Sequence, residues 1–152
     1  MISDKLTEFV KCFDFKEAPK QAPKLPGAYL LRLKGGKKFN RINGETDIVY
    51  IGSTDNLSRR FYGYNHPGRS QYTNQKVNDF VIKFGHDVEF MWKEEPDGES
   101  ARITESELLK KYQKKHHEYP PLNGASVRSL EKTLTDEKLN LSDESSTDFS
   151  SP

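Results

Sequence analysis

The stretch that decides the fold is Gly27-Ala28-Tyr29-Leu30-Leu31-Arg32-Leu33, followed after a polar connection by Ile48-Val49-Tyr50-Ile51-Gly52. Each is a short apolar run bounded by turn-forming residues, the pattern of a strand buried on at least one face. Ala28 to Leu33 and Ile48 to Ile51 are read as two strands. Short connected strands usually pair, which makes the two an antiparallel hairpin. The connection Lys34 to Asp47 is polar and glycine-rich, and its Asn43-Gly44 pair signals a tight turn.

Outward from this hairpin, the pattern changes to helical periodicity. Asp55 can cap a helix beginning at Asn56. Leu57, Phe61 and Tyr64 then share one face, at i, i+4 and i+7. Tyr64 to Ser70, with Pro67-Gly68, reads as a loop. Tyr72 to Phe84 follows as a second helix, with Val77, Phe80, Val81 and Phe84 inward and Gly85 as its stop. Val88, Phe90 and Trp92 alternate with Glu89, Met91 and Lys93, as in a half-buried strand. After the Pro96-Asp97-Gly98 turn, Ser100 can cap a helix to about Lys115, with Leu108, Leu109 and Tyr112 inward.

At the N-terminus, Leu6, Phe9, Val10 and Phe13 suggest an amphipathic helix, and the three prolines between Glu17 and Pro26 suggest an extended linker. The expected organisation is a helix and linker over residues 1–25, one domain over 26–126 and an acidic, Ser-rich, disordered tail over 127–152. The fold class is α+β: a small three-stranded antiparallel sheet flanked by helices, with an extra N-terminal helix and a flexible C-terminal tail.

The formal net charge of +1 over 152 residues is unevenly spread. The stretch from Val127 carries a net −3, leaving +4 on the first 126 residues. That mild basicity is compatible with a nucleic-acid partner. A single cysteine, Cys12, excludes an intrachain disulfide and a thiolate zinc site. No apolar run is long enough to span a membrane and no signal-peptide core is present, so the default compartment is the cytoplasm.

Two charges break the apolar pattern. Arg60 lies three residues after Leu57 and four before Tyr64, on their face. Glu105 precedes Leu108 and Leu109 by three and four residues, on theirs. A charge on an apolar stripe is costly unless paired or used. A structural Arg60–Glu105 salt bridge is one account; a functional site is the other. Glu107 lies about 200° around the helix from Glu105 and should face solvent. His116 and His117 point about 100° apart beside a lysine-rich face, which argues against a metal pair. His66 lies in the loop after the Arg60 helix.

Gly27-Ala28-Tyr29, Tyr50-Ile51-Gly52, Arg60, Glu105 and Asn123 in Pro120-Pro121-Leu122-Asn123-Gly124 occur in the order of the GIY-YIG nuclease superfamily. The chain resembles that family from about Pro26 to Gly124. Ala28 replaces the isoleucine of the family name, and the Tyr29-to-Tyr50 spacing is about twice the usual one. The excess, Gly35 to Asp47, carries Lys37, Lys38 and Arg41 and reads either as a hairpin tip that touches a nucleic-acid backbone or as a harmless surface insertion.

The resemblance implies a magnesium-dependent endonuclease that hydrolyses DNA, with manganese as a possible substitute. It implies Tyr29, Tyr50, Arg60, Glu105 and Asn123 as catalytic residues and Glu105 as the metal ligand. A tyrosine would serve as general base, Tyr29 in preference to Tyr50, its phenolate favoured by Arg60 and a nearby metal. Ser53, Arg59, Tyr64 and His66 are candidate substrate contacts, and Arg59, Arg60, Arg69, Lys76 and Lys83 lend the middle helices a basic cast. No zinc-finger or helix-turn-helix signal appears, which leaves target choice to DNA structure, to a protein partner or to little preference. The alternative is a non-catalytic nucleic-acid-binding module on the same scaffold; a small interaction protein with an acidic tail is a third reading.

Overall fold

A computed structural model describes residues 8–12, 14–36, 38–68, 71–84 and 88–123. The expected helix before Glu8, Lys37, Arg69, the Gly85 stop and the tail from Val127 lie outside the described residues.

The central sheet is antiparallel and has four strands, in the order β1 (Val10–Cys12), β6 (Val88–Glu94), β2 (Gly27–Leu33), β5 (Ile48–Thr54). The hairpin between β2 and β5 forms as its sequence predicts, and β6 inserts on the other side of β2. The fourth strand is the difference. Val10–Cys12 pairs with Phe90–Trp92 instead of forming part of a helix. Three residues added to the edge of β6 satisfy backbone groups that would otherwise face outward, and this outweighs the helical spacing of Phe9 and Val10.

The presumed linker contains a one-turn helix, α1 (Ala18–Gln21), with Pro19 in its first turn, where the missing N–H costs nothing. The long connection folds into a second, two-stranded sheet, β3 (Phe39–Asn40) and β4 (Glu45–Thr46), around the Asn43-Gly44 turn. Its tip docks on the end of the last helix. Asn43 donates to Lys115 O at 2.6 Å, and the Arg41 guanidinium meets Glu118 at 2.5 Å. Arg41 is thereby tied to the protein itself; its side chain is only 8% exposed.

Helices α2 (Leu57–Asn65) and α3 (Tyr72–Phe84) cover one sheet face, and α4 (Gly98–His116) covers the other. Tyr29, Leu31, Phe61, Tyr64, Phe80, Phe90 and Trp92 form the larger core; Phe61 stacks on Phe90 at 4.6 Å between ring centroids. Leu30, Ile51, Met91, Leu108 and Tyr112 form the smaller one beneath α4. Coverage of both faces explains why β6 is buried on both, Glu89 and Met91 included, rather than half-buried. Glu89 is held by Arg32 from the paired position on β2, at 2.6 Å. The caps sit one to three residues from their expected places. Asn56 accepts from Arg59 N, and Asp97 accepts from Ser100 N.

One irregularity places the site. The pairing of β2 with β5 shifts between Leu31 and Arg32, where Val49 has no partner of its own. Val49 and the next residue, Tyr50, therefore both pack against the larger core, on the α2 side.

Candidate active site

Most of the residues singled out in the sequence gather along β5, which forms one edge of the central sheet. From the α2 side come Tyr29, Tyr50, Arg60 and Tyr64. From the α4 side comes Glu105, which meets Ser53 of β5.

Tyr29 projects from β2 beside Gly52, its cross-strand partner. That approach depends on Gly52 lacking a side chain: a Cβ there would lie 2.7 Å from the Tyr29 hydroxyl and 2.9 Å from Tyr50 Cε2. Gly27 meets a different constraint. Its Cβ would lie 2.6 Å from Leu57 Cδ1 and 2.6 Å from the Lys93 carbonyl oxygen, so Gly27 lets the strand pack tightly against α2 and β6. Of the two motif glycines, one serves the site and the other the fold.

Tyr29 is fully buried and its hydroxyl shares a hydrogen bond with that of Tyr64, one turn beyond Arg60 on α2. The ring of Tyr29 lies 6.1 Å from Tyr50 and 6.1 Å from Tyr64. Burial pushes the phenol of Tyr29 well above its ordinary value, and the neighbouring phenols add to the rise; Arg60 opposes it without prevailing. Burial likewise raises Tyr64 and Tyr50. The expectation that Arg60 would favour a tyrosinate therefore meets a stronger opposing effect, since desolvation disfavours the charged form more than one half-buried cation favours it. Tyr50 is the least enclosed of the three, and the Glu105 carboxylate contributes to its rise.

Arg60 occupies the half-buried position between these phenols. Burial works against its charge, but the oxygens of Tyr29, Tyr64 and Tyr50 outweigh that, and it remains a cation. Among the described residues no ion pair joins Arg60 to Glu105. The structural salt bridge considered for these two charges does not form; the charge of Arg60 is favoured instead by the neighbouring phenol oxygens.

Glu105, half-buried on α4, accepts a hydrogen bond from the Ser53 hydroxyl at 2.5 Å. Glu107 is exposed, as its place on the helix predicts. Among the described residues, no group of three or more histidine, cysteine, aspartate or glutamate side chains could enclose a metal ion. A single carboxylate does fit magnesium, which keeps most of its waters and takes further oxygens from a substrate phosphate. It does not fit zinc, which wants three or four nitrogen or sulfur donors.

Asn123 does not reach the phenols with its amide. Its Oδ1 accepts from Ile51 N at 3.0 Å and its Nδ2 donates to Ile51 O at 2.9 Å. With Leu122 N bonded to Val49 O at 2.9 Å, the segment after α4 that holds Leu122 and Asn123 acts as a partner for the open edge of β5. The remaining candidates lie apart. Arg59 is exposed and paired with Asp55 at 3.1 Å. His66 stacks on Tyr62, 4.1 Å between centroids, on the side of α2 turned away from Arg60. Tyr62 carried no expectation, although its position four residues before His66 is the helical signal of that contact.

Among solved structures, the chain is similar to the GIY-YIG N-terminal endonuclease domain of UvrC from Thermotoga maritima bound to magnesium. That pair shares 25% identity over 72% of this chain and 94% of that one, with a TM-score of 0.48. A point mutant of the same domain, bound to its catalytic divalent cation, shares 25% identity over 65% of this chain and 89% of that one, with a TM-score of 0.45. No curated protein matches the chain. Residues 27–119, which hold Tyr29, Tyr50, Arg60 and Glu105, match the GIY-YIG catalytic domain, and the chain belongs to that family.

Proposed function

We propose that this protein is a metal-dependent endonuclease that hydrolyses phosphodiester bonds in DNA. The reading rests on two half-buried charges that flank one sheet edge: Arg60, from the α2 side, whose charge the phenols Tyr29, Tyr64 and Tyr50 favour, and Glu105, from the α4 side, held by the Ser53 hydroxyl, with Tyr50 subject to the charge of both.

Glu105 is the residue that would hold a divalent cation, magnesium or manganese. When bound, such an ion supplies charge neutralisation at the phosphoryl group and the leaving oxygen. Arg60 grips the phosphate through its planar fork of donors and stabilises the charge that builds on it, with no change in its own protonation. Tyr50, the least enclosed of the three phenols and one on which the Glu105 carboxylate acts, orients the attacking water by accepting a hydrogen bond from it. We assign that role to Tyr50 rather than Tyr29, whose hydroxyl is enclosed and already shared with Tyr64. Tyr29 and Tyr64 hold the guanidinium in place. Ser53 orients the Glu105 carboxylate, and Asn123 positions the strand from which Tyr50 and Ser53 project.

The direct test is nicking of a supercoiled plasmid in magnesium, in manganese and in EDTA. Wild type should nick with either metal and not in EDTA. Arg60→Ala and Glu105→Ala should each lower the rate by about 100-fold or more while keeping the wild-type circular dichroism. Undiminished nicking by a folded Glu105→Ala protein, or nicking in EDTA, would overturn the proposal.

A further inference from the structure

The far side of α2 carries a second set of groups suited to nucleic acid. A cleft of about 320 Å³ opens between α1 and α2, lined by Lys16, Pro19, Lys20, Tyr62, Asn65 and His66. Tyr62 is 56% exposed, a large value for an aromatic residue on a folded helix. His66 lies nearly parallel to it, at 20°, and is fixed there: its ring Nδ1 and its backbone N–H both meet Tyr62 O, at 3.1 and 3.0 Å. His66 thus covers one face of the Tyr62 ring and holds it in place, so the pair is a preset stack whose outer face is left for a ligand rather than a loose side chain.

The wall opposite supplies charge. Lys16 is exposed, and Lys20 is 76% exposed with only a loose, solvent-screened contact to Glu17 at 3.8 Å. Asn65 fixes the geometry of the cleft by donating to Phe15 O at 3.2 Å, across the gap between the α1 segment and α2. An exposed aromatic face flanked by two ammonium groups, in a space near the lower limit of small-ligand clefts at about 300 Å³, suits one unpaired nucleotide. The base would stack on the ring and its phosphates would meet the lysines. Duplex DNA offers no free base face to such a surface.

We infer that the Tyr62–His66 platform with Lys16 and Lys20 binds an unpaired nucleotide of a DNA strand. Tyr62 and Arg60 lie about 200° apart on a helix roughly 10–12 Å across, so the platform stands a few nucleotides from the candidate site. The inference rests on the nuclease reading for its meaning, as it makes the preferred substrate DNA with a single-stranded segment beside the cut. The binding itself is independent of cleavage.

The experiment measures anisotropy of a labelled 15-nucleotide oligothymidine and of a labelled duplex of the same length, both in EDTA so that no cutting intervenes. Tyr62→Ala should weaken single-strand binding about 10-fold, Tyr62→Phe should stay within about 2-fold, and duplex binding should be little changed by either. Replacing Lys16 and Lys20 together by Ala should flatten the dependence of log K on log salt by about 0.7 for each phosphate that the lysines neutralise. Unchanged single-strand affinity in Tyr62→Ala would overturn the proposal. So would an equal loss for both oligonucleotides, or a Tyr62→Phe loss as large as that of Tyr62→Ala. Plasmid nicking in magnesium, measured separately, reports on the nuclease reading alone.

Discussion

The side chain of Asn123 grips the backbone of Ile51 with both of its polar atoms, accepting from N at 3.0 Å and donating to O at 2.9 Å. An asparagine amide is one of the few side chains that can reproduce the donor and acceptor of a neighbouring strand, and Ile51 lies directly between Tyr50 and Gly52. Edge strands present unpaired N–H and C=O groups, and here one pair of them is closed by a loop. The amide therefore bears on the position of β5, the strand that carries Tyr50 and Ser53.

Asn123→Ala should leave two backbone groups of Ile51 without this partner. A loss of about 1–3 kcal/mol in unfolding free energy is expected, read from the urea midpoint. Asn123→Asp should be no better at neutral pH, since a carboxylate oxygen would then face Ile51 O. If both variants unfold at the wild-type midpoint, the edge strand does not depend on the amide.

The Ser53 hydroxyl donates to Glu105 at 2.5 Å. Ser53→Ala removes that donor but little packing. The expected outcome is a fall of about 10-fold in nicking rate or in apparent magnesium affinity, the usual range for a residue orienting a ligand. The melting temperature should shift little. A rate and metal dependence equal to wild type would show that Glu105 needs no such orientation.

The two motif glycines should separate in their effects. In Gly52→Ala the new methyl displaces the Tyr29 hydroxyl, 2.7 Å away, and a side chain can yield. The expected cost is about 1–3 kcal/mol in stability, with nicking lost in a protein that still folds. In Gly27→Ala the obstruction includes the Lys93 carbonyl oxygen at 2.6 Å, which belongs to the sheet. Gly27→Ala should be the less stable of the two in thermal melting; the reverse order would contradict the assignment of the glycines.

Burial raises the phenols of Tyr29, Tyr50 and Tyr64, and pushes that of Tyr112 to about 12. In the unfolded chain tyrosines ionise near 10. Below that value both states hold the protons, and the stability from burying neutral phenols is fully present. Above it the unfolded chain loses protons that the folded one keeps, so the unfolding free energy falls as pH rises. The urea midpoint should therefore drop between pH 9.5 and about 11, and absorbance at 295 nm should jump on unfolding at pH about 10.5. A folded protein that ionises all of its tyrosines near pH 10 would show that these phenols are open to water.

Local pattern carried much of the fold. The helix Tyr72–Phe84 and the inward faces of Leu57, Phe61 and Tyr64 follow from periodicity that any helix must obey. The β2–β5 hairpin follows from two apolar runs and a turn. The motif residues, in their order, marked the family. What sequence could not decide depends on contacts between distant segments. Val10 became strand because the edge of β6 was open to it. Burial, not the nearby cation, governs the tyrosines, and burial is a sum over every element packed around them. Tyr50 lies on the α2 side because Val49 has no partner across the hairpin, and Glu105 comes to the same edge from a helix on the opposite face. Periodicity assigns a residue to a face of its own element; only the packing of the sheet between two helical layers brings those faces together around β5.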